Sequence, residues 1–214
     1  MIAIIRISAK DSKTGNSGFF PDKFSQVKAC NESLIRAGEC ERLYLLDNCP
    51  PEWLTYFEQF GRAFPGVWGK KESLWEAYRV ASTQNQNILF LEDDYLWRPG
   101  TLDQLDLAIE HFGCASPYDH PDQYSDDKEV AEVYRFNNQL WRHCLTNTHT
   151  FGVRHEIFNE HLDAFYYGLH DWQMWFKLKT EGVKLYTPLN SFATHLATGH
   201  LAVGVDWEAV KGEL

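Results

Sequence analysis

Three carboxylates, Glu92, Asp93 and Asp94, follow directly on four apolar residues, Ile88-Leu89-Phe90-Leu91. In an open α/β sheet, ligands bind in the crevice outside the carboxyl ends of the strands. Acidic side chains crowded at such an end repel one another and are best tolerated with a cation among them. Hard oxygen donors of this kind suit Mg²⁺ or Mn²⁺, which in turn hold phosphates. The competing expectation is a solvated acidic turn. A second candidate is Asp171, in His170-Asp171-Trp172. At a helix start an Asp serves as an N-cap. Projecting into a cleft beside a diphosphate and a metal, it would instead stay ionised and accept a hydroxyl proton. The third candidate is the pair His195 and His200, either of which could bring a ring nitrogen to the same metal.

The elements that must position these groups alternate between strand and helix. Ile2–Ile7 is apolar apart from Arg6 and reads as a parallel strand covered on both faces. Asp22–Arg36 predicts a helix ending near Gly38, and Leu43–Leu46 a second strand closed by Asp47-Asn48 and the Pro50-Pro51 break. In Ser73–Ser82, Leu74, Ala77, Tyr78 and Ala81 recur at helical spacing. After the acidic strand end, Pro99-Gly100 turns the chain. Thr101-Leu-Asp-Gln104 then has the pattern of a capping box, with Leu105, Ala108, Ile109 and Phe112 on one helix face.

The second half is more mixed. Cys114–Lys128 is polar and predicts a loop, a candidate lid. Strands are expected over Val130–Arg135 and Gln139–Cys144 about an Asn137-Asn138 turn, and over Thr148–Val153 and Val183–Tyr186. Helices are expected over His155–Phe165 and Asp171–Lys179, and Val210–Leu214 carries no clear terminal element, as if the domain were cut from a longer polypeptide. The expected fold class is α/β: a Rossmann-like, mostly parallel central sheet flanked by helices, with a mixed β extension in the C-terminal half. Residues 1–112 would form its nucleotide-binding half and 113–214 its acceptor-binding half.

Bulk properties narrow the function classes. The chain of 214 residues supports one core, and eight Trp suit aromatic-lined clefts. No apolar run approaches the roughly 20 residues that span a bilayer, and Met1–Ile7 lacks the basic start of a signal peptide. Five scattered cysteines without a CxxC pair suggest free thiols in a reducing compartment, hence the cytoplasm. A net charge of −10 with no basic stripe argues against gripping nucleic acid.

Taken in chain order, these parts resemble the GT-A glycosyltransferases. The resemblance rests on Met1–Ile7, Leu43–Asp47, Ile88–Asp94, Thr148–Arg154 with the helix after it, His170-Asp171-Trp172 and His195. In size and opening the chain is similar to a glycosyltransferase domain that decorates a viral capsid protein, which would place it in a host cytoplasm. The resemblance implies a metal-dependent enzyme that moves a sugar from a UDP-linked nucleotide sugar to a glycan or glycoprotein acceptor. It implies that Asp94 and His195 bind Mn²⁺ or Mg²⁺, with His200 the competing imidazole. Arg6, Ser8, Asp47, Glu92 and Asp93 would contact the nucleotide, and Asp171 would be the catalytic base of an inverting displacement. A retaining reaction stays open, and His149 and Trp172 would line the sugar or acceptor pocket.

Three other readings compete. A sugar-phosphate nucleotidyltransferase would need a Gly-rich basic loop after the first strand, for which Lys10–Gly18 is the candidate. A glycosyltransferase acting on DNA bases conflicts with the negative charge. A non-catalytic carbohydrate-binding module leaves the acids and His195 without a task.

Overall fold

The computed structural model describes residues 1–10, 19–124, 132–167 and 170–214. Strand β1 (Ile2–Ser8) leads through α1 (Lys23–Ala37) to β2 (Glu41–Asp47), and α2 (Pro51–Phe57) leads to β3 (Arg62–Gly66). Helix α3 (Lys70–Ala81) returns to β4 (Ile88–Glu92), followed by β5 (Tyr95–Trp97), α4 (Leu102–Phe112) and β6 (Cys114–Ala115). The second half adds β7 (Val133–Phe136), β8 (Gln139–Cys144), β9 (Phe151–Val153), α5 (His155–Glu160), α6 (Leu162–Phe165) and α7 (Asp171–Thr180). It closes with β10 (Leu185–Pro188), β11 (Ala193–His195) and α8 (Trp207–Gly212).

Nine strands form one sheet in the order β3-β2-β1-β4-β9-β6-β10-β8-β7, and β11 pairs with β5 in a separate ribbon. Strands β3, β2, β1 and β4 run parallel, whereas β9 enters antiparallel between β4 and β6. The α/β architecture read from the sequence, mostly parallel in its first half and mixed in its second, is therefore the one observed.

Strand β1 explains the parallel half. Ala3, Ile5 and Ile7 pack with α1, α2 and α4 on one face, while Ile2 and Ile4 pack with α3 and α7 on the other. A strand covered on both faces needs an unbroken apolar run, and the run breaks only where β1 reaches the site at Arg6. Asp22 caps α1 by accepting the Ser25 N–H at 2.8 Å. Near the sheet centre, β9 and α4 approach closely. A Cβ on Gly152 would stand 2.1 Å from Ile109 Cδ1, so glycine permits that contact.

Several local expectations are corrected. The first part of the expected polar lid, Cys114–Asp119, is buried. Its start is strand β6, and Ser116, Tyr118 and Asp119 are buried, Asp119 against Arg142. Residues 125–131 lie outside the described residues. The capping box at Thr101 does not form, because its hydroxyl donates to the Arg98 carbonyl at 2.8 Å. The single helix expected over His155–Phe165 is broken at His161 into α5 and α6. The chain end forms α8, capped by Asp206.

Candidate active site

The register of β1 against β4 sets Arg6 beside Glu92, and Arg6 Nη2 meets Glu92 Oε1 at 3.1 Å. The backbone N–H of Ser8 donates to Asp93 Oδ2 at 2.8 Å. Lys23, in the first turn of α1, places Nζ 2.6 Å from Asp93 Oδ1. Cations for two of the three crowded acids thus come from the protein itself. Burial pushes the Asp93 carboxyl up, and the Lys23 charge offsets only part of that rise. Burial would lower Lys23, but the charge of Asp93 outweighs it and the ammonium is held firmly. The sequence reading missed Lys23, since a lysine in a first helical turn carries no signal of its own.

Asp94 has a histidine instead. Its Oδ2 lies 3.1 Å from His195 Nε2, while its Oδ1 and His195 Nδ1 are buried without a partner. The β5–β11 ribbon creates this contact. Tyr95 pairs with His195 across the ribbon, their rings stack at 5.1 Å, and the Leu196 N–H donates to the Asp94 carbonyl at 2.8 Å. His200 stands edge-on to the His195 ring at 5.4 Å. Of the two candidate imidazoles, the fold brings His195 to Asp94.

Burial pushes the Asp94 carboxyl up, but the His195 hydrogen bond and charge outweigh it and hold it below the usual range. The same contact outweighs burial at His195 and raises the imidazole. The raised His195 stabilises fully below its ordinary value of 6.5 and loses that contribution as pH rises through the raised value. The depressed Asp94 stabilises fully above 3.8 and loses that contribution as pH falls through the lower value. In metal-free protein, the stability gap between wild type and His195→Gln should be widest between about pH 4 and 6.5. Urea unfolding at about pH 5.5 and 8.5 measures it, and an equal gap at both would refute the pairing.

Among the described residues, no three His, Cys, Asp or Glu side chains converge as a complete metal cage. Mg²⁺ needs no such cage, because it is commonly held by one or two carboxylates with substrate phosphates and water. The unpartnered Asp94 Oδ1 fits an ion of that kind.

The remaining candidates stand further apart. Asp47 is buried, and its Oδ1 accepts the N–H groups of Trp68 at 2.7 Å and Gly69 at 3.0 Å. It ties the end of β2 to the start of α3. Asp171 is the first residue of α7 rather than its N-cap, and its Oδ1 accepts the Trp172 N–H at 2.7 Å. Its charge reaches His149, which is buried nearby. Trp172 is exposed.

No family model matches the chain, and no curated protein does. Solved structures do. The fold is similar to a nucleotidyl transferase from Methanothermobacter thermautotrophicus, with a TM-score of 0.53 and 12% identity over 87% of this chain and 86% of that one. It is also similar to the bifunctional IspDF from Campylobacter jejuni, with a TM-score of 0.51 and 14% identity over 87% of this chain and 48% of that one. The chain spans about half the length of IspDF.

The fold resembles that of a nucleotidyl transferase. This corrects the expected resemblance to GT-A glycosyltransferases and to a viral capsid-decorating enzyme, together with the sugar transfer it implied. The physical reason lies in the motifs. An acid at a strand end, a helix-opening Asp and a late His serve many enzymes that hold nucleotide phosphates on such a sheet, and their order alone does not tell sugar transfer from nucleotidyl transfer. In the described residues no helix is long and apolar enough to cross a membrane.

Proposed function

We propose that this chain is a metal-dependent nucleotidyltransferase that joins a nucleotide to a phosphate-bearing acceptor of the sugar-phosphate class. The observation that carries the reading is the similarity, over most of both chains, to a nucleotidyl transferase. The buried, unpartnered Asp94 Oδ1 beside the acidic strand end supports it.

In this reaction an acceptor phosphate oxygen attacks the α-phosphorus of a nucleoside triphosphate. The bond from that phosphorus to the oxygen bridging it to the β-phosphate breaks, and pyrophosphate leaves. A phosphate monoester has its second pKa near about 6 and is already ionised at neutral pH. The transfer therefore needs no general base, and Asp171 is released from that role to stand at the acceptor side. Asp94 and His195 would hold Mg²⁺ or Mn²⁺, which when bound neutralises charge on the phosphates as they separate. Arg6 and Lys23 neutralise Glu92 and Asp93, so the acidic turn presents Asp94 without adding two bare charges against an anionic substrate. The stretch Lys10–Gly18, between β1 and α1, carries two lysines and two glycines suited to a triphosphate; residues 11–18 lie outside the described residues.

The test is pyrophosphate release. Each common nucleoside triphosphate is supplied with Mg²⁺ and either glucose 1-phosphate or glycerol 3-phosphate. Release that requires both the metal and the acceptor is expected, and the preferred base names the nucleotide. Release with no combination, alongside no nucleotide binding by calorimetry, would overturn the reading.

A further inference from the structure

Just before β9, the segment Thr148-His149-Thr150 is fixed on both sides of its histidine. The Tyr95 hydroxyl donates to Thr148 Oγ1 at 2.6 Å, and Trp175 Nε1 on α7 donates to the Thr148 carbonyl at 3.4 Å. The Glu92 N–H donates to Thr150 Oγ1 at 3.1 Å, and the Ser116 hydroxyl to the Thr150 carbonyl at 3.0 Å. His149 itself is 6% exposed, yet neither Nδ1 nor Nε2 has a hydrogen-bond partner. Leaving a buried polar group unsatisfied is costly, and native cores rarely do so. The groups whose charges reach it are Glu92 and Arg6 at the strand ends, Asp171 at the start of α7 and Lys70 at the start of α3. The ring is thus held in place with both of its buried nitrogens left without a partner.

Burial keeps the imidazole neutral, with one donor and one acceptor nitrogen. A hydroxyl matches either, since it can donate to one or accept from the other. The Lys70 ammonium suits a phosphate, and the Asp171 carboxylate suits a further hydroxyl donor. The geometry points to His149 as a positioning residue for the acceptor, holding a hydroxyl of a polyol phosphate whose phosphate faces the Lys70 charge. The inference rests on the nucleotidyl-transfer reading for the acceptor's part in the reaction.

Two measurements test it. In wild-type protein, glycerol 3-phosphate or glucose 1-phosphate should shift the His149 imidazole ¹⁵N resonances to saturation, and inorganic phosphate should not. In kinetics, His149→Leu should raise the acceptor KM about 10-fold with little change in kcat or nucleotide Kd, and His149→Gln should recover part of the loss. The leucine variant should also melt about 2–6 °C higher, because an unpaired buried imidazole is gone. A purely structural histidine would give the opposite, a lower Tm with nucleotide and acceptor affinity falling together, and would overturn the proposal. Unmoved resonances, or equal shifts with inorganic phosphate, overturn it too. Pyrophosphate release with unmoved His149 resonances refutes this inference alone. Saturable shifts without any release refute the nucleotidyl-transfer reading and leave the polyol phosphate subsite standing.

Discussion

Asp94→Ala should cut metal-dependent pyrophosphate release by about 10²–10³-fold, the usual cost of removing one group that stabilises charge developing in a transition state. The expectation comes from contrast within the acidic trio. Glu92 and Asp93 are each neutralised by a protein cation, whereas Asp94 keeps one buried oxygen without a partner. An ion bound through that oxygen would be lost with the carboxylate. The fold should survive, because the group left behind, His195, can become a neutral imidazole. Asp93→Ala should behave differently, since it strands the Lys23 ammonium, only 11% exposed, and stability should fall along with activity. Steady-state rates paired with thermal melts separate the two signatures. Near-wild-type release by Asp94→Ala would remove Asp94 from the reaction.

Asp119→Ala should destabilise the protein by about 3–5 kcal/mol, which for a domain of this size lowers Tm by about 6–20 °C. Asp119 Oδ1 accepts from Arg142 Nε at 2.8 Å, from Arg142 Nη2 and from the Thr187 hydroxyl at 3.0 Å. Its Oδ2 accepts from the Tyr124 hydroxyl at 2.6 Å. Both charged side chains are buried, with Arg142 8% and Asp119 2% exposed. Removing one leaves a buried guanidinium uncompensated, and that penalty exceeds the loss of the contacts themselves. The pair stitches the segment after β6 to β8 and β10, within the mixed half of the sheet. Replacing both partners with apolar residues, Asp119→Leu with Arg142→Met, should therefore recover most of the loss. Urea unfolding of the single and double variants checks this, and a single variant within about 1 kcal/mol of wild type would show that the pair is not buried in solution.

Much of this architecture is legible in the sequence because its strongest signals are also its physical causes. The apolar runs of β1 and β4 announce strands covered on both faces. The Asn137-Asn138 turn between β7 and β8 has both residues at positive φ, 49° and 61°, as that residue pair suggests. What stays hidden is short or atypical. Strand β3 is Arg-Ala-Phe-Pro-Gly, an edge strand whose Pro65 argues against a strand when read locally. Strands β5 and β11 are three residues each and exist because they pair with each other, a fact no local window contains. At the site, the acids could be named from type and position. Their cations could not, because Lys23 reaches Asp93 across 70 positions of sequence. The transferred group is hidden for a related reason, since short motifs in order record what such a sheet can hold and not which bond is broken.

The β5–β11 ribbon also sets a time at which the site can exist. Asp94 and His195 are 101 residues apart, and Arg6 and Glu92 are 86 apart. Contacts between distant residues form late, after the loop-closure entropy of the intervening chain has been met. During synthesis the acidic turn emerges with Arg6 and Lys23 already behind it, so two of its charges can be quenched early. Asp94 must wait until the chain as far as His195 has been made. Partly synthesised chains that stop before β11 therefore lack the paired Asp94, and competence arrives only with that strand.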